Sequence, residues 1–127
     1  MALPVNQPLT EWNLNAHLAD VTTSGGTAIC YTPAPFQGRV TRVYATQYLG
    51  ASGGTAAITT AINGTTISGC SMLFAVTTGL AGFVYSATPT DRAQTHFSEG
   101  DVISFLSDGA PTDATVPATF TAVVRRV

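Results

Sequence analysis

The stretch Ala56-Ala57-Ile58-Thr59-Thr60-Ala61-Ile62-Asn63-Gly64-Thr65-Thr66-Ile67-Ser68 carries the most specific local signal in the chain. Asn-Gly supplies the two positive φ angles of a type I′ turn, and both flanks are rich in residues that favour strands. Residues 56–62 and 65–68 are therefore predicted to form a β-hairpin. Upstream, residues 27–32 predict a short strand ended by Pro33-Ala34-Pro35. Residues 39–49 predict a long strand, with Val40, Arg42, Tyr44, Thr46 and Tyr48 on one face and Thr41, Val43, Ala45, Gln47 and Leu49 on the other. Downstream, strands are predicted at 72–77, 82–87, 102–106 and 118–127. Ser98-Glu99-Gly100-Asp101 and Asp108-Gly109 are the turns on either side of the third of these. In the final strand Phe120, Ala122 and Val124 face away from Thr119, Thr121 and Val123.

About eight short strands with Gly, Pro, Asn and Asp punctuation, and no long helical pattern, predict an all-β protein. The expected form is an all-β sandwich or small barrel, a single domain over residues 21–127, preceded by an N-terminal arm over residues 1–20. The arm carries Pro4, Pro8, the single Trp12, and apolar anchors at Leu3, Val5 and Leu9. It reads as extended to about residue 14, with one short helical turn over 15–21. Ser24-Gly25-Gly26-Thr27-Ala28 recurs as Ser52-Gly53-Gly54-Thr55-Ala56, each copy opening a strand; two copies are too few for a solenoid.

Composition narrows the function. The chain has 127 residues, enough for one domain with a core. Only 9% of residues are charged, against about 25% in ordinary globular chains. Lysine is absent, and the formal net charge of −2 argues against a nucleic-acid binder. The start of the sequence lacks the basic and apolar regions of a secretory signal, and no stretch has the roughly 20 apolar residues of a membrane span. These features predict folding in a reducing cytoplasm, with Cys30 and Cys70 as buried thiols. Between Arg42 and Asp91 lie 48 residues with no charged side chain and no His. An exposed sheet normally protects its edges with charge or Pro, so this stretch predicts either a surface coated with Thr and Ser or, the favoured reading, burial in a multi-subunit assembly.

No motif points to chemistry. Gly50-Ala51-Ser52-Gly53-Gly54 matches the G-x-S-x-G nucleophile pattern but lies between strands, where a Gly-rich loop is the simpler account. His17 and His96 are isolated, and the two cysteines have no nearby His pair. Asp101, Asp108 and Asp113 lack calcium-loop spacing, and Glu99 with Asp101 flanks a turn glycine. Asn63-Gly64-Thr65 is a glycosylation sequon without a secretory context. No enzymatic activity, cofactor or metal is predicted. The polar handles are Arg39, Arg42, Arg125 and Arg126, either ordinary surface charges or forks for an acidic partner. Arg39 and Arg42, three apart in a strand, are expected on opposite faces.

The order of motifs resembles one family. Pro35-Phe36-Gln37-Gly38-Arg39-Val40-Thr41-Arg42-Val43-Tyr44-Ala45 is similar to the opening of small β proteins encoded beside major capsid genes in tailed bacteriophages. The likeness continues through Ile62-Asn63-Gly64-Thr65, Gly82, Ala87-Thr88-Pro89-Thr90 and Phe97-Ser98-Glu99-Gly100-Asp101-Val102-Ile103. It then takes in Asp108-Gly109, Val116-Pro117-Ala118-Thr119-Phe120-Thr121 and Val123-Val124-Arg125-Arg126. The resemblance spans about residues 20–127. It implies a capsid decoration, or cement, protein: a single β-sandwich, jelly-roll-like or tulip-like domain that forms a trimer on the outer face of the head and braces neighbouring capsomers. The implied partners are further copies of the chain and the major capsid protein, with no nucleic acid or membrane. Its matched motifs are structural, so no catalytic residue carries over.

Within this reading Leu3, Pro4, Val5, Leu9 and Trp12 form a capsid-contacting arm, and Arg39, Arg42, Arg125 and Arg126 make polar contacts. Two other readings stand beside it. One is a carbohydrate-binding β module that displays Tyr44, Tyr48 and Tyr85; the other is a different head component, such as the base of a head fibre.

Overall fold

The computed structural model describes residues 11–21, 28–48, 55–75, 84–109 and 116–127. Two antiparallel sheets pack face to face. Sheet A is built from β1 (Glu11–Leu18), β9 (Ala118–Arg126), β3 (Gly38–Gln47) and β6 (Val84–Ala87), in that spatial order. The two-residue β7 (His96–Phe97) pairs with β3 on the same side as β6. Sheet B runs β2 (Ala28–Pro33), β8 (Val102–Ser107), β4 (Thr55–Ile62), β5 (Thr65–Ala75). This is the all-β sandwich that the strand pattern predicts.

Alternation places the core between the sheets. From sheet A come Ala16, Val40, Val43, Ala45, Phe120, Ala122 and Val124; from sheet B come Cys30, Ala56, Ile58, Ile62, Ile67, Met72, Ile103 and Phe105. Phe105 and Phe120 stack across the interior, with ring centroids 5.0 Å apart and planes 13° from parallel. Cys30 and Cys70 are free and buried, and loss of solvation pushes both thiols up to about 11.

Four local readings change. Residues 15–18 are not a helical turn; they continue β1, which pairs along its whole length with β9. The period-2 signal is present there, since Trp12, Leu14, Ala16 and Leu18 turn inward and alternate with Glu11, Asn13, Asn15 and His17. The strand expected at 39–49 contains a bulge. Pairing with β9 shifts register between Val40 and Arg42, so Val40 and Val43 are both buried. The strands expected at 65–68 and 72–77 are one strand, β5, which also contains a bulge. The fourth change is the segment 88–95, which contains a short 3₁₀ helix at Arg92–Gln94 capped by the Asp91 carboxylate.

The hairpin forms as predicted, with Asn63 at φ 49° and Gly64 at φ 84°. Asn63 also joins the hairpin to β8, accepting from the Val102 N–H at its Oδ1 (2.9 Å) and donating its own N–H to the Val102 carbonyl (2.8 Å). In the turn before β8 the Asp101 carboxylate accepts from the Ser98 N–H at 2.8 Å. That bond, with a second from the Asn63 side chain, holds the Asp101 carboxyl below its ordinary 3.8. Gly69, at φ 87° in the β5 bulge, lies under the 88–90 segment, and a Cβ there would sit 2.7 Å from the Thr88 carbonyl oxygen.

Gly64→Ala meets open space and carries only the left-handed backbone penalty, about 1 kcal/mol. Gly69→Ala adds a backbone clash and is expected to cost about 3 kcal/mol or more in urea denaturation. Because the folded-state pKa of Asp101 is depressed, its stabilising contribution is present above about pH 4 and fades as pH falls through the folded value. Asp101→Asn should therefore lower the urea midpoint at pH 7 and flatten its decline below pH 4.

Candidate interaction surfaces

The bulge in β3 decides what the outer face of sheet A displays. One extra residue at Thr41 resets the alternation, so Arg39 and Arg42 point to the same side rather than to opposite ones. Pairing with β9 and β1 then lines up Arg39, Arg125 and Glu11 in one cross-strand row, and Arg42, Val123 and Asn13 in the next. Arg125 Nη2 lies 3.0 Å from Glu11 Oε1, and both side chains are about half exposed (45% and 46%). Arg42 Nη1 donates to the Tyr44 hydroxyl at 3.1 Å, and the guanidinium lies 5.9 Å from the centre of the Tyr44 ring. The Tyr44 hydrogen bond, helped by the Glu11 carboxylate, pushes the Arg42 pKa further above its ordinary value.

A cavity of about 370 Å³ opens beside this row. It exists because the edge next to β3 is broken. β6 pairs with β3 only as far as Val43, β7 resumes at Arg39, and between them the chain leaves the sheet through the 3₁₀ helix. The Val40 N–H bonds the Thr95 carbonyl at 2.9 Å across the gap. Arg39, Arg92 and Arg125 line the cavity, with Glu11 as its one carboxylate and the hydroxyl-bearing Thr41, Thr88, Thr90 and Thr95 around them. Arg92, at the start of the 3₁₀ helix, has no signal in the sequence that joins it to the other arginines; only the broken edge does.

The far end of the same face is aromatic. His17 stacks on Tyr48, with ring centroids 5.9 Å apart, and the Tyr48 hydroxyl shares a hydrogen bond with Thr119 Oγ1. Tyr85 turns inward, donating its hydroxyl to Gln47 Oε1 at 3.0 Å, so it is not displayed with Tyr44 and Tyr48.

The outer face of sheet B is of another kind. By register its rows are Tyr31, Ser104, Ala61 and Thr66; Ile29, Leu106, Thr59 and Ser71; and Ala57 with Leu73. The strand residues of these rows are uncharged, and two large side chains stand out into solvent, Tyr31 at 60% and Leu73 at 61% exposure; the exposed Asp108, just past β8, flanks the last row, its carboxylate accepting from the Ala57 N–H at 2.8 Å. Part of the long charge-free stretch, carried by β4 and β5, thus lies on this face.

The other predicted contacts are dispersed. Leu3, Pro4, Val5 and Leu9 lie outside the described residues, as does the Gly-rich loop at 50–54. Trp12, predicted among the capsid-contacting residues of the arm, is partly buried in β1 and packs on the core, with its ring centroid 4.9 Å from that of Phe36. Arg126 lies over the Phe36 ring at 5.6 Å and does not line the arginine cavity. Among the described residues, no group of three or more His, Cys, Asp or Glu is placed to hold a metal ion.

Comparison with protein-family models gives no match, and neither does comparison with curated proteins. Among solved structures, the chain is similar to a carbohydrate-binding module, CBM36, in complex with calcium and xylotriose. The TM-score is 0.47 at 14% identity, over 92% of this chain and 98% of the other.

Because Trp12 and Leu14 pack on the core, an arm deletion must stop before β1. A truncation lacking residues 1–10 keeps every described residue of β1, and its melting temperature is the reference. Removing residues 1–14 should lower it by about 8 °C or more, given about 2 kcal/mol or more for losing two partly buried side chains. Thermal melts of the two truncations check this directly.

Proposed function

We propose that this protein is a structural component of a virus particle, a decoration protein that binds the outer surface of a tailed-phage head, stabilises it, and does so as a homotrimer. The observation that carries the reading is the division of charge between the two faces of the sandwich. The strands of sheet B carry no charged residue and expose Tyr31 and Leu73, with the Asp108 carboxylate at the margin bonded to the Ala57 N–H, whereas four of the chain's five basic residues lie on or beside the outer face of sheet A. Interface centres are depleted in Lys, Glu and Asp and enriched in Tyr, so the sheet B face suits contact with further copies of the chain. A closed symmetric assembly repeats that contact and leaves no apolar patch in water.

The arginine-bearing face is then free to meet the major capsid protein. The work asked of such a protein is thermodynamic. Anything that binds the assembled lattice in preference to its precursor stabilises it by mass action. Three linked copies turn modest single contacts into firm attachment. The order of sequence motifs over residues 20–127 supports the same reading. Manufacture in the host cytoplasm, followed by residence on the virion, accords with the two free thiols.

The alternative, a glycan-binding module, has one feature in its favour: Tyr44, Tyr48 and His17 share the outer face of sheet A with Asn13 and Asn15. Light scattering on the protein alone, and after mixing with heads that lack it, separates the two. The expected result is a trimer at micromolar concentration that co-elutes with heads. Leu73→Glu and Tyr31→Glu should give folded monomers that attach weakly. A wild-type monomer that ignores heads, with glycan binding lost in Tyr48→Ala, would replace this proposal with the glycan reading.

A further inference from the structure

We infer that the cavity at the broken edge of β3 is a carboxylate-binding site, and that its occupant is an acidic segment of the protein partner. The identity of that partner rests on the reading above; the site itself does not. The first ground is the placing of charge. The chain carries five basic residues in all. Arg39, Arg92 and Arg125 line this one cavity, and Arg42 lines the adjoining pocket, which shares Glu11 and Thr41 with it. A chain with net charge −2 and a 48-residue uncharged stretch has therefore gathered its cations at one spot.

The second ground is how little of that charge is used. Glu11 is the single carboxylate in the lining, and Arg125 holds it at 3.0 Å. Arg39 and Arg92 form no ion pair among the described residues. The nearest acid in sequence, Asp91, spends its carboxylate on the Ala93 N–H at 3.0 Å. Two guanidinium forks thus line a cavity whose other polar groups are threonine hydroxyls and the Arg125–Glu11 pair. An arginine fork matches a carboxylate with two parallel hydrogen bonds.

The third ground concerns the kind of chain that would carry the carboxylates. The cavity's own lining has no aromatic ring on which a sugar could stack, its apolar members being Val40 and Pro89; Tyr44 lines only the adjoining pocket, where Arg42 donates to its hydroxyl. Arg39 and Arg125 are cross-strand neighbours, and Arg92 comes from the segment beyond the edge of β3. The cations therefore reach one cavity from three separate chain segments, β3, β9 and the 3₁₀ helix. That arrangement fits successive acidic side chains of a peptide better than one small anion.

The test uses the full chain and a hexaglutamate peptide at low salt, followed by calorimetry and by backbone amide NMR. Trigalacturonate and inorganic sulfate serve as counter-probes. Saturable binding is expected, with shifts at the amides of Thr41, Thr90 and Thr95. Arg39→Gln and Arg92→Gln should each weaken it about tenfold or more at unchanged melting temperature. Arg126→Gln, which removes the same charge outside the cavity, should change it less than about twofold.

Equal loss in Arg126→Gln, or shifts spread over the whole surface, would reduce the effect to bulk charge and overturn the site. Tighter binding of trigalacturonate than of hexaglutamate would overturn the peptide in favour of an acidic sugar. Sulfate binding as tight as that of the peptide would leave only a small-anion site and also overturn it. Because no heads are present in this assay, a protein that binds hexaglutamate but not heads keeps the site and loses the decoration reading. The converse result keeps the decoration reading and loses the site.

Discussion

The stack of Phe105 on Phe120 is the contact on which the sandwich is built. One ring comes from each sheet, and both are fully buried. Two sheets packed face to face sit about 10 Å apart, and the space must be filled without voids. Here the large rings are set among small neighbours: Ala45, Ala56, Ala118 and Ala122 are all buried. That alternation of large and small is available because each strand shows every second residue to the interior. It commits the inner faces to packing and leaves the outer faces to differ.

They differ sharply, and the cause lies in the pairing of β3. An unbroken β3 would carry Arg39 and Arg42 on opposite sides. One of the two would then point into the core, where an unpaired charge is very costly. The extra residue between Val40 and Arg42 resolves this by turning both outward while keeping Val40 and Val43 inside. The same region of β3 lacks a regular neighbour, because the chain leaves the edge between Ala87 and His96. A bulge and a broken edge at one place make both the depression and the charge that lines it. β-bulges recur where a sheet re-aims side chains, and this one does so for the two arginines.

Local chemistry was legible in the sequence, and tertiary chemistry was not. Asn63-Gly64 announced its turn because positive φ angles are a property of those two residues. The alternation of Phe120, Ala122 and Val124 announced β9 because both of its faces are regular. β1 was legible in principle, from Trp12, Leu14, Ala16 and Leu18, but the prolines and asparagines around it drew the reading toward an arm and a helical turn. The bulges in β3 and β5 leave little trace in single residues, since they are set by the partner strand. Gly69 looks like the end of a strand and is instead a kink within one. The arginine cavity was half legible. Arg39, Arg42 and Arg125 stood out as the scarce charges of a nearly uncharged chain, but Arg92 joins them only through the path of the chain beyond β6. Leu3, Pro4, Val5 and Leu9 lie outside the described residues, so the structure adds nothing to their reading.

The position of β9 has a consequence in time. It is the last of the described strands in sequence order, yet it lies between β1 and β3 in sheet A. Neither β1 nor β3 can complete its ladder until β9 arrives, more than seventy residues after β3 ends. Pairings of such long sequence separation are slow to close, and until they close the earlier strands leave the ribosome with apolar faces and free edges. Sheet B is complete once β8 has emerged, so it can assemble first and offer Phe105 as a platform for Phe120. Folding is thus set to run from the uncharged sheet to the charged one, with the arginine face the last surface to take shape.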